Sequence, residues 1–197
     1  MVKKIGILGD IGSGKSFIAK QFNCSVFNAD EEVNNIYKKN RIFFNKLRKK
    51  LPNHIKSYPV NKIELTKAII DKKENLKKII NIVHPIVRKK MNLFLKKNRK
   101  KKIIVLDIPL LIENKLNGKN DILIFVDAKK KDILKRLKKR PNYNEKIIKK
   151  LKKFQLPLEI KKKKSNYIIK NNFKKKSIVN NVKLIKNKII NYERSGS

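Results

Sequence analysis

The chain has 197 residues and a single cysteine, Cys24, and its 54 Lys and Arg against 15 Asp and Glu give a net charge of +39. That length holds one domain of ordinary size with a substantial core and a small inserted subdomain, and it excludes two large independent domains. One cysteine excludes an intramolecular disulfide or a cysteine-based metal cluster. No long uncharged apolar run occurs, so neither a transmembrane helix nor a signal peptide is expected and the cytoplasm is the expected location.

So large a positive charge ordinarily points to a polyanion. Here the lysines are spread along most of the chain and accompany an excess of Ile and Asn, as compositional drift in an AT-rich genome would produce at tolerant surface positions. Aromatic residues are few and do not interleave with the basic runs as a single-strand platform requires. No specific nucleic-acid or membrane partner is therefore expected.

In chain order, Ile5-Gly6-Ile7-Leu8 has the apolar continuity of a buried strand, and Phe17, Ile18, Ala19 and Phe22 have the spacing of a packed helix. Between them Gly9-Asp10-Ile11-Gly12-Ser13-Gly14-Lys15-Ser16 fits the phosphate-loop pattern G-x-x-x-x-G-K-[ST] at every fixed position. Glycines let the backbone wrap an anion, successive N–H groups and a helix N-terminus face the phosphates, and Lys15 adds a full charge. Ser16 offers a hydroxyl to Mg²⁺.

Ser25-Val26-Phe27-Asn28 reads as a second strand running into Ala29-Asp30. A carboxylate there can orient an attacking hydroxyl or take its proton, or it can cap the next helix. Residues 31 to about 100 carry mostly helical patterns, with Leu76, Ile79, Ile80, Val83, Val87, Met91 and Phe94 on one face that Pro85 is expected to interrupt. His54, in a loop punctuated by Pro52 and Pro59, reads as solvated, and His84, beside the stripe, as a structural histidine.

Ile103-Ile104-Val105-Leu106-Asp107 is a strong buried-strand signal whose terminal acid suits a Mg²⁺ shell or a structural hydrogen bond. The apolar segment from Ile108 to Glu113 follows, either a substrate wall or the start of a helix. A further strand, Asp121 to Asp127, precedes a helix bearing Ile133, Leu134 and Leu137, and this β-α alternation predicts a parallel sheet. Between Arg136 and Gln155 the chain is dense with cations. It includes a turn at Pro141-Asn142-Tyr143 and one helical face of Ile147, Ile148, Leu151, Phe154 and Leu158. Such a segment fits a lid over a triphosphate or a solvated basic helix. Tyr167-Ile168-Ile169 is the last expected strand, leading to Asn171, and Ile178, Val182, Ile185 and Ile189 line the last helix. Ser195-Gly196-Ser197 reads as a frayed end.

Taken together, the phosphate loop, Asn28-Ala29-Asp30, His84-Pro85, the Asp107 to Glu113 segment, Arg136 with Arg140, Gln155-Leu156-Pro157-Leu158-Glu159 with Lys161, and Tyr167 to Asn171 resemble the dephospho-CoA kinase family. That family phosphorylates the ribose 3′-hydroxyl of dephospho-CoA in the last step of coenzyme A synthesis.

The resemblance implies an α/β fold: a P-loop NTPase-type core with a parallel five-stranded sheet (residues 1–30, 101–139 and 164–197), a helical substrate-binding insertion (31–100) and a lid (140–163). It implies that Asp30 acts on the 3′-hydroxyl while Lys15 and Arg140 stabilise the transferring phosphoryl. ATP would lie against Gly12, Ser13, Gly14, Lys15, Ser16, Phe17, Arg140 and Asn171, with Mg²⁺ at Ser16 and Asp107. Dephospho-CoA would lie near Asp30, His84, Pro109, Leu110, Leu111 and Glu113, which reverses the structural reading of His84.

Several positions depart from the family pattern. Asp10 replaces a glycine, Leu8 a threonine and Phe17 a hydroxyl residue; Lys149 and Lys150 stand where a lid arginine is common; Asn166 and Lys170 replace acids. A kinase of nucleosides or nucleotides and a basic nucleic-acid-binding protein that uses ATP are the alternatives, and a monomer is favoured.

Overall fold

The computed structural model of the chain describes residues 2–141 and 143–191. Asn142 of the expected turn and the end at Ser195-Gly196-Ser197 lie outside the described residues. Five strands form, β1 (Lys3–Gly9), β2 (Ser25–Asn28), β3 (Ile103–Asp107), β4 (Ile122–Asp127) and β5 (Tyr167–Lys170). The helices are α1 (Lys15–Gln21), α2 (Ala29–Lys39), α3 (Arg41–Lys50), α4 (Lys62–Asp71), α5 (Lys73–Lys97), α6 (Lys130–Lys138), α7 (Glu145–Lys152), α8 (Leu158–Lys163) and α9 (Lys175–Asn191). They divide into two compact units, one of Met1–Asn28, Asn98–Tyr143 and Leu151–Ser197, the other of Ala29–Lys97 and Asn144–Lys150.

The first unit is built on one parallel sheet in the order β2-β3-β1-β4-β5. Ile5 stands opposite Val105 on one side and Ile122 on the other, and Asn28 opposite Asp107. Central strands covered on both faces must be apolar at every position, and β3 is buried throughout. One face gathers Ile5, Ile7, Val105, Ile124, Val126 and Ile169 over Ile18 of α1, Phe22 just past its end, and Ile178, Val182 and Ile189 of α9. The alternate residues face the other way, where Leu111 packs so closely on Gly6 that a Cβ there would collide with its Cδ2.

In the second unit, asparagines cap two helices. Asn40 Oδ1 accepts from Phe43 N at 2.8 Å and Asn61 Oδ1 from Ile63 N at 2.8 Å, each cap worth about 1 kcal/mol. The helix α5 runs unbroken through Pro85, where an interruption was expected. Its buried stripe of Leu76, Ile79, Val83, Val87 and Met91 offsets the lost hydrogen bond, as tertiary packing of one face commonly does. His54 is not simply solvated: its Nε2 lies 3.1 Å from Asp71 Oδ2.

The single helical face expected from Ile147 to Leu158 is two helices, α7 ending at Lys152 and α8 starting at Leu158. Pro157 has no N–H and disfavours helical geometry at the preceding residue. The N–H of that residue, Leu156, goes instead to Glu113 Oε1 at 3.1 Å.

Lysine ammoniums close several helix-end carbonyls within each unit. Lys186 Nζ donates to Phe22 O and Lys3 Nζ to Ile189 O, both at 2.6 Å. Lys150 Nζ donates to Ile69 O and Ile70 O at the end of α4, at 2.6 and 3.0 Å. Cations at helix C-termini satisfy orphan carbonyls and oppose the dipole. No helix among the described residues is long and apolar enough to cross a membrane.

Candidate active site

The site in the first unit begins where β1 ends. Gly12 and Gly14 take φ of 84° and 93°, and a Cβ at Gly14 would lie 2.5 Å from Asn171 Nδ2. Both the backbone conformation and the space therefore require glycine at position 14. Ser13 N donates to Asp10 O at 3.1 Å, which closes the turn. Lys15 folds back over it, with Nζ donating to Asp10 O at 2.8 Å and to Gly9 O at 3.3 Å. The loop thus has a positive end: the first turn of α1 and an ammonium held at the rim.

Asn171 braces the loop from behind. Its Nδ2 donates to Ser13 O at 2.7 Å, its Oδ1 accepts from Phe173 N at 2.7 Å, and its own N–H reaches Asp127 O at 2.7 Å. Phe173 has φ of 61°, and the Arg136 guanidinium sits 4.6 Å from its ring centroid. Such a cation–π contact is worth about 0.5–1 kcal/mol when solvent-exposed. Phe17 stands exposed on α1, and Arg140, just past α6, is also exposed. Gly14→Ala should add about 1–3 kcal/mol of backbone strain and weaken nucleotide binding about tenfold or more, checked by titration calorimetry.

At the end of β3, next to β1 in the sheet, Asp107 is buried and its Oδ2 accepts from Asn28 Nδ2 at 3.0 Å. Among the described residues no three His, Cys, Asp or Glu side chains cluster as a closed metal cage. One hydroxyl and one carboxylate, Ser16 and Asp107, suit Mg²⁺, a hard cation that takes few protein oxygens and completes its shell with water and phosphate.

In the loop after β3, Pro109 and Leu110 are half-buried while Leu111 is fully buried. Glu113 turns inward to Lys161, Nζ to Oε1 2.7 Å, with the lysine side chain 1% exposed. Leu111 and Glu113 thus hold this loop from inside.

Two further candidate residues lie in the second unit. Asp30 is exposed in the first turn of α2. Burial, aided by the negative charge of Asp30, pushes the Tyr37 phenol up to about 12, so Tyr37 stays protonated at neutral pH. His84 and Pro85 line a groove of about 540 Å³ along α5 with Arg88, Asn92 and Leu93. Burial, then the charge of Arg88, pull the His84 imidazole below its usual value, which keeps it neutral at neutral pH.

Residues 3–177 match the family profile of CoaE, dephospho-CoA kinase. The chain belongs to the dephospho-CoA kinase family. It is 37% identical over 173 residues to the dephospho-CoA kinase of Bartonella quintana, covering 85% of this chain and 88% of the relative. Against that of the Wolbachia of Brugia malayi it is 32% identical, covering 91% and 94%. Among solved structures it is similar in fold to a dephospho-CoA kinase from Campylobacter jejuni, with TM-score 0.64, 22% identity and 95% and 97% of the chains covered. A shikimate kinase from Acinetobacter baumannii has the same kind of core, with TM-score 0.55, 14% identity and 98% and 95% covered.

The departures from the dephospho-CoA kinase pattern acquire physical content. Asn166 uses Oδ1 to accept from Leu123 N at 2.8 Å, work that needs an acceptor and no charge. Asp10 turns its Oδ1 to Ile11 N at 2.7 Å and its Oδ2 to Lys152 Nζ at 2.9 Å. Lys149 pairs with Glu145 at 2.8 Å, and Lys150 is bonded to the α4 carbonyls. Lys152 and Phe173 were not singled out from the sequence. The signal for Lys152 was Asp10 itself, since an acid in an anion-binding loop calls for a counter-ion.

Proposed function

We propose that the protein transfers the γ-phosphoryl of ATP to the ribose 3′-hydroxyl of dephospho-CoA, giving coenzyme A and ADP. The observation that carries this reading is the braced phosphate loop, Gly14 to Ser16 on Asn171, in a chain whose family membership extends over residues 3–177.

In-line transfer needs little covalent help from the protein, so positioning and electrostatics dominate. The loop backbone at Gly12, Ser13 and Gly14 cradles the phosphates, and Lys15 and Arg140 balance the charge that spreads over the transferring group. Asp30 takes the proton from the 3′-hydroxyl as its oxygen bonds to the γ-phosphorus and the bond to the β-phosphate oxygen breaks. Phe17 and Asn171 complete the ATP side. Ser16 and Asp107 would hold Mg²⁺, which would supply positive charge to offset that of the phosphates.

Pro109 and Leu110 offer apolar surface to dephospho-CoA, on a loop that Leu111 and Glu113 anchor, and neutral His84 gives the acceptor a hydrogen-bonding ring without added charge. We place residues 31–100 as the substrate domain and 140–163 as the lid of a cytoplasmic monomer.

The test is an acceptor panel under Mg²⁺ and ATP, with dephospho-CoA, nucleosides and shikimate. ATP consumption should rise at least a hundredfold with dephospho-CoA alone, and the phosphate should be found on the 3′-oxygen. Equal consumption with and without dephospho-CoA overturns the reading.

A further inference from the structure

Two ammonium groups from distant parts of the chain converge on one residue of the phosphate loop. Lys15 Nζ holds the backbone oxygen of Asp10 at 2.8 Å, and Lys152 Nζ holds its carboxylate at 2.9 Å. The Asp10 side chain is 11% exposed and that of Lys152 is 42% exposed, so the acid is well buried and the cation reaches it from the solvent side. An uncompensated carboxylate here would repel the anion that the loop exists to bind, at short range and in a medium less polarisable than water.

We propose that Lys152 is a positioning residue for the phosphate donor: it neutralises Asp10 and keeps the carboxylate turned off the phosphate side of the loop. The second anchor of the carboxylate, Ile11 N–H, sets its direction, and Lys152 cancels its charge. Of the cations on the same helix, Lys149 is paired to Glu145 and Lys150 to the carbonyls of Ile69 and Ile70. The two residues form one unit in which the effect of each depends on the other. Donor binding requires Lys152 only because Asp10 is acidic.

This inference rests on ATP being the phosphate donor. The test is a double-mutant cycle on the full chain, with the Kd for ATP read by calorimetry and the KM for ATP and dephospho-CoA read kinetically. Lys152→Met should weaken ATP binding about tenfold, the scale of a partly solvated charge–charge contact, and leave the KM for dephospho-CoA unmoved. Lys152→Arg should retain wild-type affinity. Asp10→Asn keeps an acceptor for Ile11 N–H and removes the charge, so Asp10→Asn/Lys152→Met should recover ATP affinity to within about threefold of wild type.

A double variant as weak as Lys152→Met alone overturns the inference, because Lys152 would then act on the phosphates independently of Asp10. A Lys152→Met protein that binds ATP as tightly as wild type overturns it too. Circular dichroism and melting of each variant separate folding from binding. A wild-type chain that binds no ATP would sink the assignment of the donor instead, and is read before any variant is made.

Discussion

Asp30→Asn should lower turnover by about a hundred- to ten-thousandfold, the usual contribution of a positioned general base, while the Kd for ATP stays within about twofold of wild type. The side chain keeps its shape and a carbonyl oxygen, so any loss isolates the missing proton acceptor. Asp30 lies outside the phosphate loop, in the first turn of α2 with Glu31 and Glu32 beside it. A helix-capping role would leave both kcat and the melting temperature close to wild type, because Asn caps about as well as Asp. Measuring kcat and thermal stability on the same preparation separates the two, and full turnover in the Asp30→Asn enzyme returns Asp30 to capping.

Lys161→Ala should be strongly destabilising. Glu113 Oε1 receives both Lys161 Nζ and Leu156 N, and removing the lysine leaves a carboxylate in a nearly dry position. Breaking such a pair from one side costs about 3–5 kcal/mol. At about 2–4 °C per kcal/mol for a chain of this size, melting should fall by roughly 6–20 °C. Removing both charges while keeping shape, as in Glu113→Gln/Lys161→Met, should return most of that loss, since the Gln oxygen still accepts from Leu156 N. Scanning calorimetry of the single and double variants decides it; a double variant no better than Lys161→Ala would show that the pair contributes through contacts other than charge.

Much of the core was legible because its strands are short, continuous apolar runs with clear ends. Ser25–Asn28 and Ile103–Asp107 read as strands with the same bounds that form. The phosphate loop was legible because every fixed position of its motif is a physical requirement of wrapping an anion.

Other features lay beyond local pattern. A continuous α5 through Pro85 depends on the buried stripe around it, and the break between α7 and α8 on where the N–H of Leu156 goes. Both are decided by contacts distant in sequence. His54 looked solvated because nothing within a few residues of it is acidic, whereas its partner, Asp71, comes from the end of α4. Among the candidate site residues, local sequence pointed to Gly12 through Ser16 and to Asp107. Asn171 as a brace behind Ser13, and Glu113 as the counterpart of Lys161, required the fold.

The lysines that close helix ends carry a practical consequence for handling this protein. With 54 Lys and Arg residues, amine-reactive dyes, crosslinkers and resin coupling are obvious handles. Acylation at Lys186, Lys3 or Lys150 would abolish the charge that tethers Phe22, Ile189 and the end of α4. Heavily labelled material should therefore loosen in both units before it loses solubility. The thiol is no easier a handle, because Cys24 is half-buried and burial raises its pKa against the opposing pull of Lys186. A tag fused through the backbone leaves all of these tethers intact.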